Sequence, residues 1–158
     1  MRLIRVEKEE LLFKLTPGER LLLIELLKDY PPALSAYSPV SKLKQLPDQA
    51  TAQRLLEEAL AEQRAENKKL LDVLVKDAHR WKEEPTHWLL RLSKGDLEWI
   101  LQILNDIRVG NWTLLGSPEN WSDTISLEKA PGLWAMELAG AFQMEFLQAL
   151  DRRKGSKQ

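Results

Sequence analysis

Two polar residues interrupt the apolar face of one predicted helix, and their side chains are the best placed in this sequence to do chemistry. The helix covers residues 93–115 and, wound at about 100° per residue, it places Arg108 at the edge of the apolar arc and Asn111 near its middle. An unpaired charge among leucines is costly, so Arg108 must reach water or a partner. We expect a carboxylate of the last helix, Glu137 or Glu145, to pair with its guanidinium.

The chemistry that such residues could support is binding. One interpretation is a polar clamp between helices. The other is an anion or partner-peptide site in a polar notch beside Arg108. Trp121 falls in a predicted polar loop. It either folds back over the core or is an exposed contact residue of the kind enriched at interfaces. The candidate binding residues are therefore Asn105, Asp106, Arg108, Asn111, Trp112 and Trp121.

Templates for catalysis and metal binding are missing from the sequence. It has no cysteine, no G-x-S-x-G elbow, no glycine-rich phosphate loop and no H-E-x-x-H pair. Its two histidines, His79 and His87, fall on different predicted segments, without the carboxylates that a zinc site would need. We therefore expect no catalytic residues, no metal and no cofactor, and the sequence favours a non-catalytic protein over an enzyme without deciding between them.

Composition narrows the class of protein further. Of the 158 residues, 44% are hydrophobic and 30% charged, which is typical of a globular chain. The net charge of -1 lacks the basic excess of nucleic-acid binders, so no nucleic-acid partner is expected. No apolar run approaches the roughly 20 residues that span a bilayer, and no secretory signal opens the chain. We expect a cytoplasmic protein without a membrane partner.

The first third of the chain predicts a short strand pair or helix, then a leucine-rich helix. Residues 1–15 alternate in a way that favours a hairpin, although residues 9–15 could equally be helical. Thr16-Pro17-Gly18-Glu19 has the form of a capping box and begins a helix to about Asp29. Residues 31–47 hold four of the eight prolines and are expected to form a connection.

A long helix is predicted from Asp48 to about Trp81, with an apolar stripe at three- and four-residue steps. Gln63 and Asn67 lie in register within that stripe. Two alternatives remain open: the central turns run past the core into water, or the stripe is a paired seam in which buried amides set the register.

The last third predicts two more helices. A short apolar piece, residues 88–92, precedes the helix of residues 93–115, and Pro131 begins a final helix rich in small residues that is central or lies at a subunit contact. Residues 151–158 form a basic tail. The fold class we expect is mainly α: one domain over residues 1–158, a helical bundle of four to five helices with a possible short N-terminal β-hairpin.

Around residues 97–115 the sequence resembles a bacterial family, the domain-of-unknown-function family two-zero-one-seven. Trp99 followed by residues 104–108, Leu-Asn-Asp-Ile-Arg, is similar to a late segment of that family, in which leucine stands in place of Ile107. The N-terminal strand pair, the Thr-Pro helix start and the final helix over residues 133–150 are similar too. The resemblance implies a helical protein of bacterial cytoplasm, with no known enzyme activity or cofactor and a regulatory or adaptor role.

These observations together predict a non-catalytic interaction or regulatory protein. Its partner is expected to be another protein or a second copy, bound through the long helix or the last helix. A DNA-associated regulator is the first alternative. A small-molecule-binding or enzymatic domain that uses the notch near Arg108 is the second.

Overall fold

The architecture combines four helices with a four-stranded antiparallel sheet. A computed structural model describes residues 1–7, 9–32, 47–119 and 126–155, without the side chains of residues 47–49 and 153–155. The elements in chain order are β1 (Arg2–Glu7), β2 (Glu10–Leu15), α1 (Pro17–Lys28), α2 (Pro47–Lys76), β3 (Trp81–Glu84), β4 (His87–Ser93), α3 (Lys94–Leu114) and α4 (Ala130–Gly155).

The expectation of a helical bundle was wrong because a second hairpin completes a sheet. The N-terminal hairpin β1–β2 is present, and β3–β4 pairs with it in the order β1-β2-β4-β3. The long helix was predicted to reach Trp81 but ends at Lys76, and Trp81 begins a strand. Strand β4 has the period-two burial of a sheet, with Leu90 and Leu92 buried on either side of exposed Arg91. In the sequence this alternation is obscured, because residues 88–90 are three consecutive apolar residues.

One face of the sheet is the floor of the core. Alternate residues of β2, Leu11, Phe13 and Leu15, are all 0% exposed. Helices α1, α3 and α4 all contact the sheet, and the ring of Phe146 meets that of Phe13 edge to face at 5.2 Å between centroids. Because three helices share this face, they share one hydrophobic core.

The edge strands of the sheet carry charged residues. Strand β1 has a register shift between Leu3 and Arg5, which is a bulge, and β3 consists of Trp81 followed by Lys-Glu-Glu. Bulges and charges on edge strands are the usual means of discouraging further pairing.

Among its described side chains, helix α2 is buried only near its C-terminus. Leu71 and Leu74 near its C-terminus are 1% and 3% exposed, and the indole of Trp81 donates to the carbonyl of Leu74 at 3.1 Å. By contrast, residues 54–63 of the same helix are all exposed. None of the described helices is long and apolar enough to cross a membrane.

A capping box connects the sheet to α3 and carries an ion pair. Ser93 and Asp96 satisfy each other's backbone N–H groups, and Arg80 donates to the same carboxylate. Burial alone would raise the pKa of Asp96, but the hydrogen bonds from Arg80 and Ser93 outweigh it and lower that pKa.

The lowered pKa of Asp96 predicts a contribution to stability that acid removes. A carboxyl group with a lower pKa in the folded state stabilises the fold above its ordinary pKa near ~4, and this is lost as the pH falls through the folded value. Asp96→Asn should lower the free energy of unfolding by about 1–2 kcal/mol near neutral pH. Urea denaturation across acid pH should show the difference from wild type shrink below about pH 4. Asp72→Asn, at an exposed position of α2, is the control; an equal effect of both variants would contradict the prediction.

Candidate functional site

Where α3 packs against α4, the guanidinium of Arg108 is hydrogen-bonded to a side-chain amide. Nη1 of Arg108 donates to Oε1 of Gln143 at 2.8 Å, and the amide nitrogen of Gln143 donates to the carbonyl of Leu101 at 3.3 Å. The side chain of Arg108 passes Gly140, where an added Cβ would lie 3.7 Å from Nε. The expected carboxylate partner, Glu137 or Glu145, was wrong. Arg108 is exposed at the edge of the arc, so water serves its charge and one neutral acceptor is enough.

Asn111 does not join this clamp. Its amide nitrogen donates to the carbonyl of Ile107 in its own helix at 2.8 Å, and its side chain lies beside Gly132 of α4. The predicted clamp between helices is therefore made by Arg108 and Gln143, while Asn111 satisfies its amide N–H locally.

A cleft of about 510 Å³ opens where α2 diverges from α3 and α4. Its apolar lining is Leu60, Leu101 and Leu147. Its polar lining is Tyr30, Gln63, Arg64, Asn67, Gln102, Asn105, Asp106 and Gln143. Five of these side chains are carboxamides, each offering both a donor and an acceptor. We call this feature the α2 cleft.

The predicted site residues divide between two places. Asn105 and Asp106 line the α2 cleft. Asn105 also borders a smaller recess of about 310 Å³ with Arg108 and Trp112, where Val109 and Met136 supply the apolar wall. This recess lies where the sequence places a notch beside Arg108, and its role as a binding site stays a prediction. Trp121 and part of its loop lie outside the described residues, so the two interpretations of that tryptophan stay predictions.

The floor of the α2 cleft is a chain of hydrogen bonds that links α2, α3 and Tyr30, which follows the end of α1. The indole of Trp99 donates to Oδ1 of Asn67 at 3.0 Å. The amide nitrogen of Asn67 donates to Oη of Tyr30 at 3.3 Å, and that hydroxyl donates to Oδ2 of Asp106 at 3.3 Å. Each donor has one acceptor, and the chain ends on a carboxylate. The floor is therefore a satisfied polar network.

Neither alternative for the amides of α2 describes Asn67. The sequence suggested that its turns either run into water or pair with a second helix through buried amides. Asn67 instead bonds to partners within the chain, while Gln63, one turn earlier, is exposed. Tyr30 and Gln143 were missed as site residues. Tyr30 precedes two prolines at the end of an amphipathic helix, and a tyrosine there signals an apolar ring that needs a partner for its hydroxyl.

Burial makes the Tyr30 hydroxyl a poor acid. The residue is 1% exposed. Burial raises its pKa, the hydrogen bond from Asn67 opposes this, and the charge of Asp106 raises the pKa further. A phenol kept protonated beside a carboxylate is a fixed hydrogen-bond donor. Among the described residues, no group of His, Asp and Glu side chains is arranged to hold a metal ion. The site is suited to hydrogen bonding and apolar contact.

Comparison with known proteins gives no match to a family model, a curated protein or a solved structure. The resemblance to the bacterial family around Trp99 and residues 104–108 therefore stays a prediction. The geometry of the α2 cleft is the main basis for a functional conclusion.

The bridge at Asn67 predicts a loss of stability when its amide is removed. Asn67→Leu leaves the Trp99 indole without its acceptor and should lower the free energy of unfolding by about 1–2 kcal/mol, measured by urea denaturation. Gln63→Leu is the matched control, because it makes the same change one turn away at an exposed position and should alter stability by no more than about 0.5 kcal/mol. Similar losses in the two variants would show that the bridge is unimportant.

The raised pKa of Tyr30 predicts that one tyrosine ionises late. The chain has two tyrosines, and absorbance of the phenolate should show one titrating above the usual value near ~10. Because the folded state favours the neutral phenol, its contribution to stability is present below about pH 10 and is lost as the pH rises through the folded pKa. Tyr30→Phe should remove the late step and Tyr37→Phe should keep it. A single shared transition near about pH 10 would contradict this assignment.

Proposed function

We propose that this chain is a non-catalytic interaction protein of bacterial cytoplasm, which binds a polypeptide segment of a protein partner or of a second copy in the α2 cleft. The main observation behind the proposal is that the apolar stripe of α2 is buried over only part of its length. At its C-terminal end the stripe is buried through Leu71 and Leu74. Four turns earlier the same stripe is exposed, with Leu56 51% and Leu60 38% accessible.

The opposite wall of the α2 cleft is apolar as well. Leu147 of α4 is 48% exposed and lines the cleft with Leu60. Leu60 and Leu147 thus form two apolar walls above a polar floor. A groove of this kind can bury side chains of a peptide while the peptide main chain contacts polar groups. The exposed carboxamides of Gln63, Gln102 and Asn105 have no hydrogen-bond partner within the described residues and are free to meet a main chain.

The satisfied floor supports binding over catalysis. Tyr30 and Asp106 are hydrogen-bonded to one another, and the phenol is held in its protonated form. A nucleophile needs a base that withdraws its proton, whereas here burial opposes ionisation. The alternative of an enzymatic or small-molecule site near Arg108 has less support, because its recess is smaller than the α2 cleft and Arg108 is already bonded to Gln143.

The alternative of a DNA-associated regulator has little support in the charge distribution. On the open face of the sheet, most cations have a carboxylate partner, which reduces the potential available to phosphates. These pairs are Arg5–Glu7, Lys82–Glu84 and Arg91–Glu10. Arg2 and Lys14, opposite one another in β1 and β2, remain as a local excess too small for a duplex footprint.

The proposal is tested by photo-crosslinking from the cleft. A photoreactive amino acid in place of Leu60 should give a discrete adduct in the source bacterium, whereas the same residue in place of Leu21 should not. Leu21 is 58% exposed on α1, away from the cleft lining, and is the matched control. Mass spectrometry then identifies the adduct as another protein or a second copy of this chain.

Affinity for the identified partner provides the second arm. Leu60→Ser with Leu147→Ser removes two apolar contacts of about 1.5–3 kcal/mol each and should weaken binding by roughly 100-fold or more in calorimetry. Leu21→Ser should leave the affinity within about twofold. Adducts of equal yield at both positions, or an affinity that survives the double substitution, would refute the proposal.

A further inference from the structure

A second site is centred on Arg20, on the opposite side of α1 from the solvent-facing leucines of that helix. The guanidinium carbon of Arg20 lies 3.8 Å from the ring centroid of Trp88 and 5.3 Å from that of Trp81. Both indoles belong to the β3–β4 hairpin and point to the inner face of the sheet. Trp81 is fixed by its own hydrogen bond to Leu74. The guanidinium is therefore held against an aromatic surface by cation–π contact.

Among the described residues, this guanidinium has no hydrogen-bond acceptor and no ion-pair partner. Nε of Arg20 is the one buried side-chain nitrogen or oxygen atom of the described residues without a hydrogen-bond partner. The two Nη groups also lack a partner, and since they are not buried they reach the surface. Arg80 shows the usual solution on the same hairpin, because it pairs with both Asp77 and Asp96. Arg20 is partly buried like Arg80, but among the described residues it lacks a carboxylate partner.

The contact with Trp88 limits which kind of ligand the Arg20 guanidinium could bind. A guanidinium that lies over an indole keeps its N–H bonds in its own plane, so the exposed Nη edge can bind an oxyanion with two parallel hydrogen bonds. Arg20 also belongs to the first turn of α1, where the helix dipole favours negative charge. Two carboxylates close to Arg20 in sequence or in sheet register do not fill this role: Glu19 accepts from the backbone N–H of Thr16, and among the described residues Glu83, opposite Trp88 in the sheet, forms no ion pair with Arg20.

We propose that Arg20, stacked on Trp88, is the binding group of a site for an oxyanion, either a phosphate or a carboxylate group. The site is separate from the α2 cleft and does not depend on the function proposed for that cleft. Trp88 supplies the platform and Trp81 closes the side. Only the Nη edge of the guanidinium faces the ligand.

The experiment uses the indole N–H signals of the tryptophans in two-dimensional NMR. The whole chain is titrated with inorganic phosphate, and separately with acetate, while chloride keeps the ionic strength constant. Saturable shifts of the Trp88 indole and of Arg20 Nε–H are expected with at least one anion, and the stronger response identifies phosphate or carboxylate as the preferred group. Trp88→Phe assigns the indole signal.

Two variants separate a built site from general charge screening. Arg20→Gln should lose the saturable response. Arg91→Gln, an exposed arginine on the outer face of the neighbouring part of β4, should keep it. No saturation with either anion, or the same response in Arg20→Gln as in wild type, would overturn the proposal.

A third variant tests the site with the guanidinium in place, should Arg20→Gln fail to fold. Glu83→Gln removes the carboxylate that faces Trp88 across the strand pair. A competing negative charge at that position weakens anion binding, so its removal should lower the dissociation constant by about twofold to fivefold. An unchanged or weaker affinity in Glu83→Gln would count against the assignment.

Discussion

The buried inner face of the sheet is the constraint on which the rest of the structure depends. Five alternate side chains of β2 and β4 are wholly buried, namely Leu11, Phe13, Leu15, Leu90 and Leu92. An apolar sheet face must be covered by another layer of structure, and here α1, α3 and α4 take up that position. No comparable area remains for α2, which is the longest helix at 30 residues. Among the described residues it attaches through its C-terminal turns and through polar contacts that include those of Asn67 and Lys68, and its divergence creates the cleft.

Carboxamides make two of the polar contacts between helices in this fold. Arg108 bonds to Gln143 and Asn67 bonds to Tyr30 and Trp99, so carboxamides act as adapters between helices. An amide can donate and accept at once, which lets one side chain satisfy two neighbours without bringing a second charge out of water.

Much of the local structure could be predicted from the sequence, because it is encoded within a few residues. The capping boxes at Thr16 and Ser93, the N-terminal hairpin and the starts of all four helices follow from short signals. The second hairpin could not be predicted, since a strand of four residues at Trp81 has no period of its own and depends on pairing with β4. The site was only partly predicted. Asn105, Asp106 and Arg108 were found on one helix, but Tyr30, Asn67 and Gln143 join them only through contacts between distant parts of the chain.

The charged edges of the sheet limit how this molecule can assemble. A protein with bare strand edges can grow by adding a strand from a neighbour, whereas the bulge in β1 and the Lys-Glu-Glu run of β3 make such growth unfavourable on both sides. Contacts with other molecules are thereby directed to side chains on the helices, where shape and sequence can select among partners. The main chain of the sheet stays out of fibrillar pairing, so leucines can remain exposed on α2 with less risk of ordered aggregation.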